Sequence, residues 1–482
     1  MTNPTATNTA TRNTTTQRWV LGLSAVASFV VVLDMLMVAT ALPSIQRDLG
    51  ASLEDLEWTV NAYTLSFAVL LMTGAALGDR FGRRRMFAVG LGLFAVSSAA
   101  CALAPSVGAL VAARTVQGAG AAMFMPLALA LLNAAFPPER RGRALGVYGS
   151  VTGLAATLGP ILGGVVTQGL AWPWVFWINV PIGLVAVPLV LTRVPESHGS
   201  SAARIDGPGL VLGGLAALGL VWALVHGNGA GWWSAETLGA ATLGVVALIA
   251  FIAWQRRART PMLPPRLFRS RPFVVGIAAM FFLNATLTGA IFFTAQLFQV
   301  GLGHGPLSAG LRLLPWGVAP LLIAPLAGAL ADRVGARTLI GVGSLGFAAG
   351  MGWLALAVEP DSSYAALVLP MLLGGAGFSV AVPAATRAAV SLVAPPDLAK
   401  ASGAYSTLRQ LGGAFGVAIL GAVFATAGGY GSPATFVAGY VPALGIAALL
   451  ALGAAVAALA LPRAVLSGAS TEARPAAAVG RA

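Results

Sequence analysis

Charge is scarce in this sequence: of 482 residues only 9% are Asp, Glu, Lys or Arg, against about 25% in soluble domains. That shortage excludes an ordinary water-soluble domain. Cysteine occurs once, as Cys101 inside an apolar run, so neither an intrachain disulfide nor a multi-thiolate metal centre is available, and Cys101 reads as a small packing residue. The three histidines, His198, His226 and His304, fall in loops or at a helix end. Of the 15 acids, the apolar runs place only Asp34 well inside a helix. The paired acids or imidazoles of an intramembrane enzyme are therefore missing, and an enzyme is not expected. No Gly-x-x-x-x-Gly-Lys-Ser/Thr loop is present, which argues against an ATP-driven pump, and neither rings of like charge nor filter-like loops suggest a channel. No cofactor or metal is expected. The formal charge of +13 would suit nucleic acid only if the arginines gathered on one face, and they are scattered between apolar runs.

What the sequence does have is length in apolar runs, with 57% hydrophobic residues and a mean hydropathy of +0.85. About 20 apolar residues cross a hydrocarbon core as a helix. Runs bounded by charge, Gly or Pro predict fourteen spans, at about 19–43, 56–78, 86–104, 107–136, 143–168 and 174–192, then 207–226 and 237–254, then 272–298, 307–331, 337–357, 364–386, 401–427 and 436–461. The fold class expected is an all-α membrane protein of two six-helix bundles plus two additional helices. The corresponding units are a Thr/Asn-rich disordered tail at 1–18, an N-terminal bundle at 19–194, an inserted pair at 195–258, a C-terminal bundle at 259–462 and a tail at 463–482. The first apolar run is too long for a signal-peptide core and lacks a small-residue cleavage site, so it is expected to remain as the first helix.

Orientation follows from the basic residues. With both termini on one side, every one of them except Arg47, Arg114, Arg312 and Arg409 falls on that side. By the positive-inside rule that side is cytoplasmic. The opposite loops carry Asp48, Glu54, Asp55, Glu236, Glu359 and Asp361.

The loop after the second helix reads Gly78-Asp79-Arg80-Phe81-Gly82-Arg83-Arg84-Arg85, and the loop after the tenth reads Ala331-Asp332-Arg333-Val334-Gly335-Ala336-Arg337. The Asp-Arg-x-Gly spacing recurs without a gap. A duplicated bundle predicts this, with a substrate path at the interface between the copies. Gly82 and Gly335 would permit a tight turn, Asp79 and Asp332 would accept hydrogen bonds at a helix end, and the arginines would engage headgroups or the neighbouring bundle.

These turns resemble the loop signature of the major facilitator superfamily, with Ala75 standing where the first copy would have a leading Gly and Gly328 keeping it in the second. The wider pattern resembles that superfamily's 14-helix drug/proton antiporter branch. Leu33-Asp34 followed by Ala41-Leu42-Pro43 is similar to its first-helix motif. Leu110, Arg114, Gln117, Gly118 and Gly120 stand at the spacing of the fourth-helix motif, and Gly146, Gly159, Pro160, Gly163 and Gly164 resemble the antiporter motif with Ala155 in place of a usual Gly. Trp172 to Gly183 looks like the same branch, except for Pro173 where Arg is common. Gln299, the stretch from Gly310 to Pro315, and Arg409 with Gln410 also match. The resemblance implies a multi-pass protein of the bacterial inner membrane that uses the proton gradient to export small amphipathic toxic compounds or antibiotics. A dedicated exporter of one endogenous metabolite or antibiotic is the alternative. The partners expected are the small-molecule substrate, protons and lipid, with no nucleic acid.

Asp34 and Arg114 are the residues expected to couple the proton. An intramembrane acid is costly when ionised, and it titrates or is functional by default; the plainer possibility is an acid hydrogen-bonded for structure. Asp34 precedes Pro43 by nine positions and Arg114 follows Val107 by seven, so at about 1.5 Å per residue both lie roughly 11–14 Å below the same face. Asp79, Arg80, Gly82, Arg83, Arg84, Asp332, Arg333 and Gly335 are expected to govern the conformational cycle. Asn61, Tyr63, Gln117, Asn284, Phe292, Phe293, Gln296, Tyr405 and Arg409 are candidate substrate contacts, each also readable as a packing or lipid-facing side chain.

Overall fold

The computed structural model describes residues 4–199, 205–391, 393–394 and 397–462, and the side chains at 4–13, 321, 324–326 and 328–333 fall outside the described set. The described residues form fourteen long helices. They are α1 (Pro4–Leu49), α2 (Leu53–Phe81), α3 (Arg83–Ala102), α4 (Val107–Ala135), α5 (Pro138–Gly169), α6 (Trp174–Arg193), α7 (Gly207–Ala230) and α8 (Ala235–Arg257). After them come α9 (Arg271–Gly301), α10 (Pro306–Arg312 continued as Leu314–Val334), α11 (Ala336–Ala357), α12 (Tyr364–Val390), α13 (Leu398–Ala427) and α14 (Pro433–Leu459). Thirteen of these helices, all but α10, which is described only in part, are long and apolar enough to cross a membrane. In lipid this is the economical solution, because a helix satisfies its backbone polar groups internally.

Local chemistry sets the ends. Ser52 and Asp55 close a capping box at the start of α2, and the side chains of Ser106, Ser234 and Ser432 cap α4, α8 and α14. Gly82 and Gly335, at φ 106° and 86°, make the two related turns as the repeat predicts. Three expectations need correction. The segment expected to be disordered is helical from Pro4 onward, its proline lying in the first turn where a missing N–H costs nothing. The tenth span is broken at Leu313. Finally, α5 begins at Pro138, so Arg140, Arg141 and Arg143 lie in its first turns rather than in a loop.

Each half uses the same packing plan. In the first, α2 packs on α4, α3 on α4 and α6, and α1 on α5; in the second, α10 packs on α12, α11 on α12 and α14, and α9 on α13. Small residues set the approach: a Cβ at Gly118 would lie 2.3 Å from the Tyr63 carbonyl, and one at Gly416 2.0 Å from the Ala285 carbonyl. The halves meet along two seams related by the repeat, α2 against α13 and α5 against α10. The inserted pair α7 and α8 sits outside the bundles, with α7 lying against α2 and α13.

We call the end carrying most of the arginines the basic end and the other the acidic end. The largest cluster of buried apolar side chains joins both halves, and its members from the first half, such as Met37, Ile45, Leu56, Leu110 and Phe176, all come from the acidic ends of their helices. At the α5/α10 seam the close contacts pair Gly164 with Pro306, Pro160 with Gly310 and Thr157 with Gly317. Toward the basic end α5 is exposed over most of Glu139 to Ser150. Among the described residues, then, the bundles are sealed at the acidic end, and the α5/α10 seam opens toward the basic one.

Candidate functional site

Asp34 on α1 and Arg114 on α4 meet inside the first bundle. Arg114 donates from Nη1 to Asp34 Oδ2 at 2.6 Å, and both side chains are essentially without exposure. Each makes further hydrogen bonds. Asp34 Oδ1 accepts from Gln117 Nε2 at 2.9 Å and from Asn179 Nδ2 at 2.8 Å. Arg114 gives a second bond from Nη1 to Gln117 Oε1 at 2.7 Å and one from Nε to the Thr59 carbonyl at 3.1 Å, and its guanidinium lies 4.2 Å above the Tyr63 ring. Ser98 on α3 completes the set, accepting from Asn179 at 3.0 Å and donating to the Phe176 carbonyl at 2.9 Å.

Five helices thus contribute to one polar cluster. The i, i+3 spacing of Arg114 and Gln117 puts both on one face of α4, and Gly118, next on that face, lets α2 come close enough for the Thr59 carbonyl to reach. Removing one partner from such a buried pair leaves the other charge uncompensated, a loss of about 3–5 kcal/mol. Chemically the cluster can hold a carboxylate ionised within apolar surroundings, or release it when a proton neutralises it.

The other candidates divide. Tyr63 and Gln117, expected as substrate contacts, are sealed within the cluster. Phe292, Phe293 and Gln296 are buried at the acidic end, with Phe293 stacked on Phe424 at 4.9 Å and Gln296 accepting from the Tyr430 hydroxyl. Asn61 is fully buried on α2. Asn284 donates to the Arg409 carbonyl at 2.7 Å, which ties α9 to α13, while Tyr405 shares a bond with Thr386 and stays part-exposed, as does Arg409. In the antiporter-like set, Gly159 and Gly163 pack on α1 and Gly164 on α10, whereas a Cβ at Gly146 would meet nothing. Pro160 forms part of the α5/α10 contact.

In the first repeated turn Asp79 accepts at the helix end as expected, and the arginine contacts differ from those expected. Asp79 pairs with Arg83 at 2.7 Å within its own turn, the Gly199 N–H donates to the Asp79 carbonyl, Glu196 accepts from the Arg84 N–H, and Arg84 reaches the carbonyls of Leu191 and Val194. It clamps the segment that follows α6 in the same bundle rather than the neighbouring one. Arg80 lies over the Phe81 ring. The side chains of Asp332 and Arg333 lie outside the described residues.

Sequence reasoning missed Ser98 and Asn179. Ser98 is one of several serines in an apolar run, without a distinguishing signal. Asn179 could have been found, since it stands alone as an amide between Trp177 and Pro181 where the helix opens. It missed Glu57 as well: the residue is 2% exposed at the α2/α13 seam, so Asp34 is not alone among buried acids.

Known proteins bear on this arrangement. The family model of the Major Facilitator Superfamily matches residues 24–416 and 314–479. The tetracenomycin C resistance and export protein of Streptomyces glaucescens is 38% identical over 404 residues, 83% of this chain and 75% of that one. The puromycin resistance protein of Streptomyces alboniger is 37% identical over 451 residues, 90% of this chain and 88% of that one. A multidrug resistance protein of Mycobacterium tuberculosis is 34% identical over 411 residues, covering 85% and 76%. Among solved structures, a bacterial homologue of the human lysosomal transporter Spinster, inward-facing and unoccupied, has a TM-score of 0.67 at 16% identity, covering 92% of this chain and 97% of that one. A peptide transporter has a TM-score of 0.66 at 16% identity, covering 90% and 93%.

Proposed function

The chain belongs to the major facilitator superfamily, and on that premise we propose that it is a proton-coupled antiporter that exports small amphipathic toxic compounds or antibiotics by alternating access. The observation that carries the coupling is the Asp34–Arg114 pair, sealed in the first bundle with every carboxylate oxygen bonded. A proton on Asp34 removes its charge and frees Arg114, and a change of that size in an apolar interior is enough to bias the bundle between two packings. Asn179 suits both states. Its amide nitrogen serves the carboxylate, while its amide oxygen is buried without a partner. Turning the amide over would present that oxygen to the O–H of a protonated Asp34.

The basic loops support a bacterial inner-membrane location with both termini cytoplasmic, so that the parted basic end faces the cytoplasm, where an exporter loads. The repeated turns would govern the parting and rejoining of the bundles, and Tyr405 and Arg409 are the substrate-contact candidates left part-exposed. No nucleotide or metal enters the cycle in this reading; the proton gradient drives it. The named relatives include single-antibiotic exporters and multidrug proteins alike, which keeps the dedicated exporter in view. A susceptibility panel in an efflux-deficient bacterial host tests both: resistance to several unrelated compounds is expected, resistance to one compound would select the dedicated exporter, and resistance to none would contradict export.

A further inference from the structure

Glu57 lies in the first turns of α2 but projects into the seam with α13. It is 2% exposed, and its carboxyl occupies the space left by Gly421: a Cβ there would sit 1.9 Å from Glu57 Oε1. Its Oε2 is buried without a hydrogen-bond partner, and one turn further along the same face Asn61 is fully buried with both amide atoms unpartnered. Across the seam, Tyr430 lies within electrostatic reach of Glu57, and its hydroxyl is spent on Gln296 of α9.

The charged groups around it do not neutralise it. On α2, Asp55 is held in the capping box with Ser52, and Glu54 pairs with His226 of α7 at 2.7 Å. Arg47 of α1 is committed to the Pro43 carbonyl and to Ser44. Facing it, α13 offers Gly421, the segment after α13 offers Tyr430, and α9 offers the neutral Gln296. Among the described residues no basic side chain is paired with Glu57. A buried carboxylate lacking a cation costs several kcal/mol, whereas a neutral carboxyl costs only its missing hydrogen bonds.

We propose that Glu57 is a second proton-binding site, separate from Asp34, whose ligand is a proton taken up from water at the acidic end as the α2/α13 seam closes. In the closed seam one carboxyl oxygen carries the proton, and the amide oxygen of Asn61, one turn away, is the acceptor available to it. When the acidic end parts, water solvates the group and the proton leaves to it. The site differs from the Asp34 cluster in kind. Asp34 is solvated by fixed donors of its own bundle, whereas Glu57 is solvated only when the bundles separate.

This deepens the antiport reading and rests on the alternating access it assumes, but it can be tested with neither substrate nor gradient. Spin labels placed at Asp48→Cys on α1 and Ala434→Cys on α14, both exposed and on opposite bundles, report the width of the acidic end; Cys101 is fully buried and stays in place. In lipid nanodiscs the label distance is expected to lengthen from mildly acidic to mildly alkaline buffer. Glu57→Gln should hold the short distance in both buffers. Gly421→Ala, which puts a methyl where the carboxyl lies, should retain a long-distance population in both and covers the case in which Glu57→Gln fails to fold. A wild-type distance that ignores pH, or a response kept by Glu57→Gln, would overturn the proposal. A chain that exported no compound would still give the same distances, so the two readings fail separately.

Discussion

Two buried acids lie in the same half of this protein and are treated in opposite ways. Asp34 is inside one bundle with three bonds to its carboxylate, from Arg114, Gln117 and Asn179. Glu57 is between bundles, against a glycine, with an oxygen that has no partner. The difference teaches where each can change state. A carboxylate with a full set of donors keeps its charge until a proton displaces an arginine, so its chemistry is local. One with no donors is set by whether the seam is shut, so its chemistry follows the motion of whole bundles.

The largest effect expected from breaking this contrast is Arg114→Ala, which would turn Asp34 into an uncompensated buried charge. A loss of about 3–5 kcal/mol should show as a sharp fall in thermal stability of the purified protein, partly restored by Asp34→Asn in the same chain. Additive losses in the double variant would mean the pair is not coupled. Asn179→Ala should be milder, since it deletes one of three donors to the carboxylate: a loss of about 1–3 kcal/mol and a displaced pH profile of transport, with abundance largely kept. An unchanged profile would reduce Asn179 to packing.

The smallest effect belongs to the latch at the basic end, where Arg266 meets Asp397 at 2.6 and 2.5 Å just before α13 begins. The guanidinium's hydrogen bonds hold the Asp397 carboxyl below its usual range. A lowered carboxyl contributes stability above its unfolded value near 3.9 that is lost only as pH falls through the lower folded value. With Arg266 largely exposed, Arg266→Ala should move the melting temperature little, because solvent screens a surface pair, and should leave any response near neutral pH intact. A large shift in that response would assign part of it to this latch rather than to Asp34 and Glu57.

How much of this was legible in the sequence differs between the same two acids. Asp34 stood out because a charge in the middle of an apolar run has one meaning in lipid, and counting from Pro43 and Val107 was enough to set Arg114 at its depth. The duplicated halves were equally plain, since Gly82 and Gly335 repeat a turn that both copies make. Glu57 was hidden by its neighbours: beside Glu54 and Asp55 it looks like part of a solvated helix start. What buries it is Gly421, far along the chain, and no local pattern encodes that pairing. The break at Leu313 was hidden for a similar reason, because the apolar run continues through it.

The central claim is that Asp34 carries the exchanged proton, and proton-driven uptake of a fluorescent cationic substrate into inverted membrane vesicles tests it most directly. Asp34→Asn, which keeps the shape and removes the ionisable group, is expected to abolish gradient-driven accumulation while substrate-induced proton release is lost with it. Full accumulation driven by the gradient in Asp34→Asn vesicles, at equal protein abundance, would contradict the account.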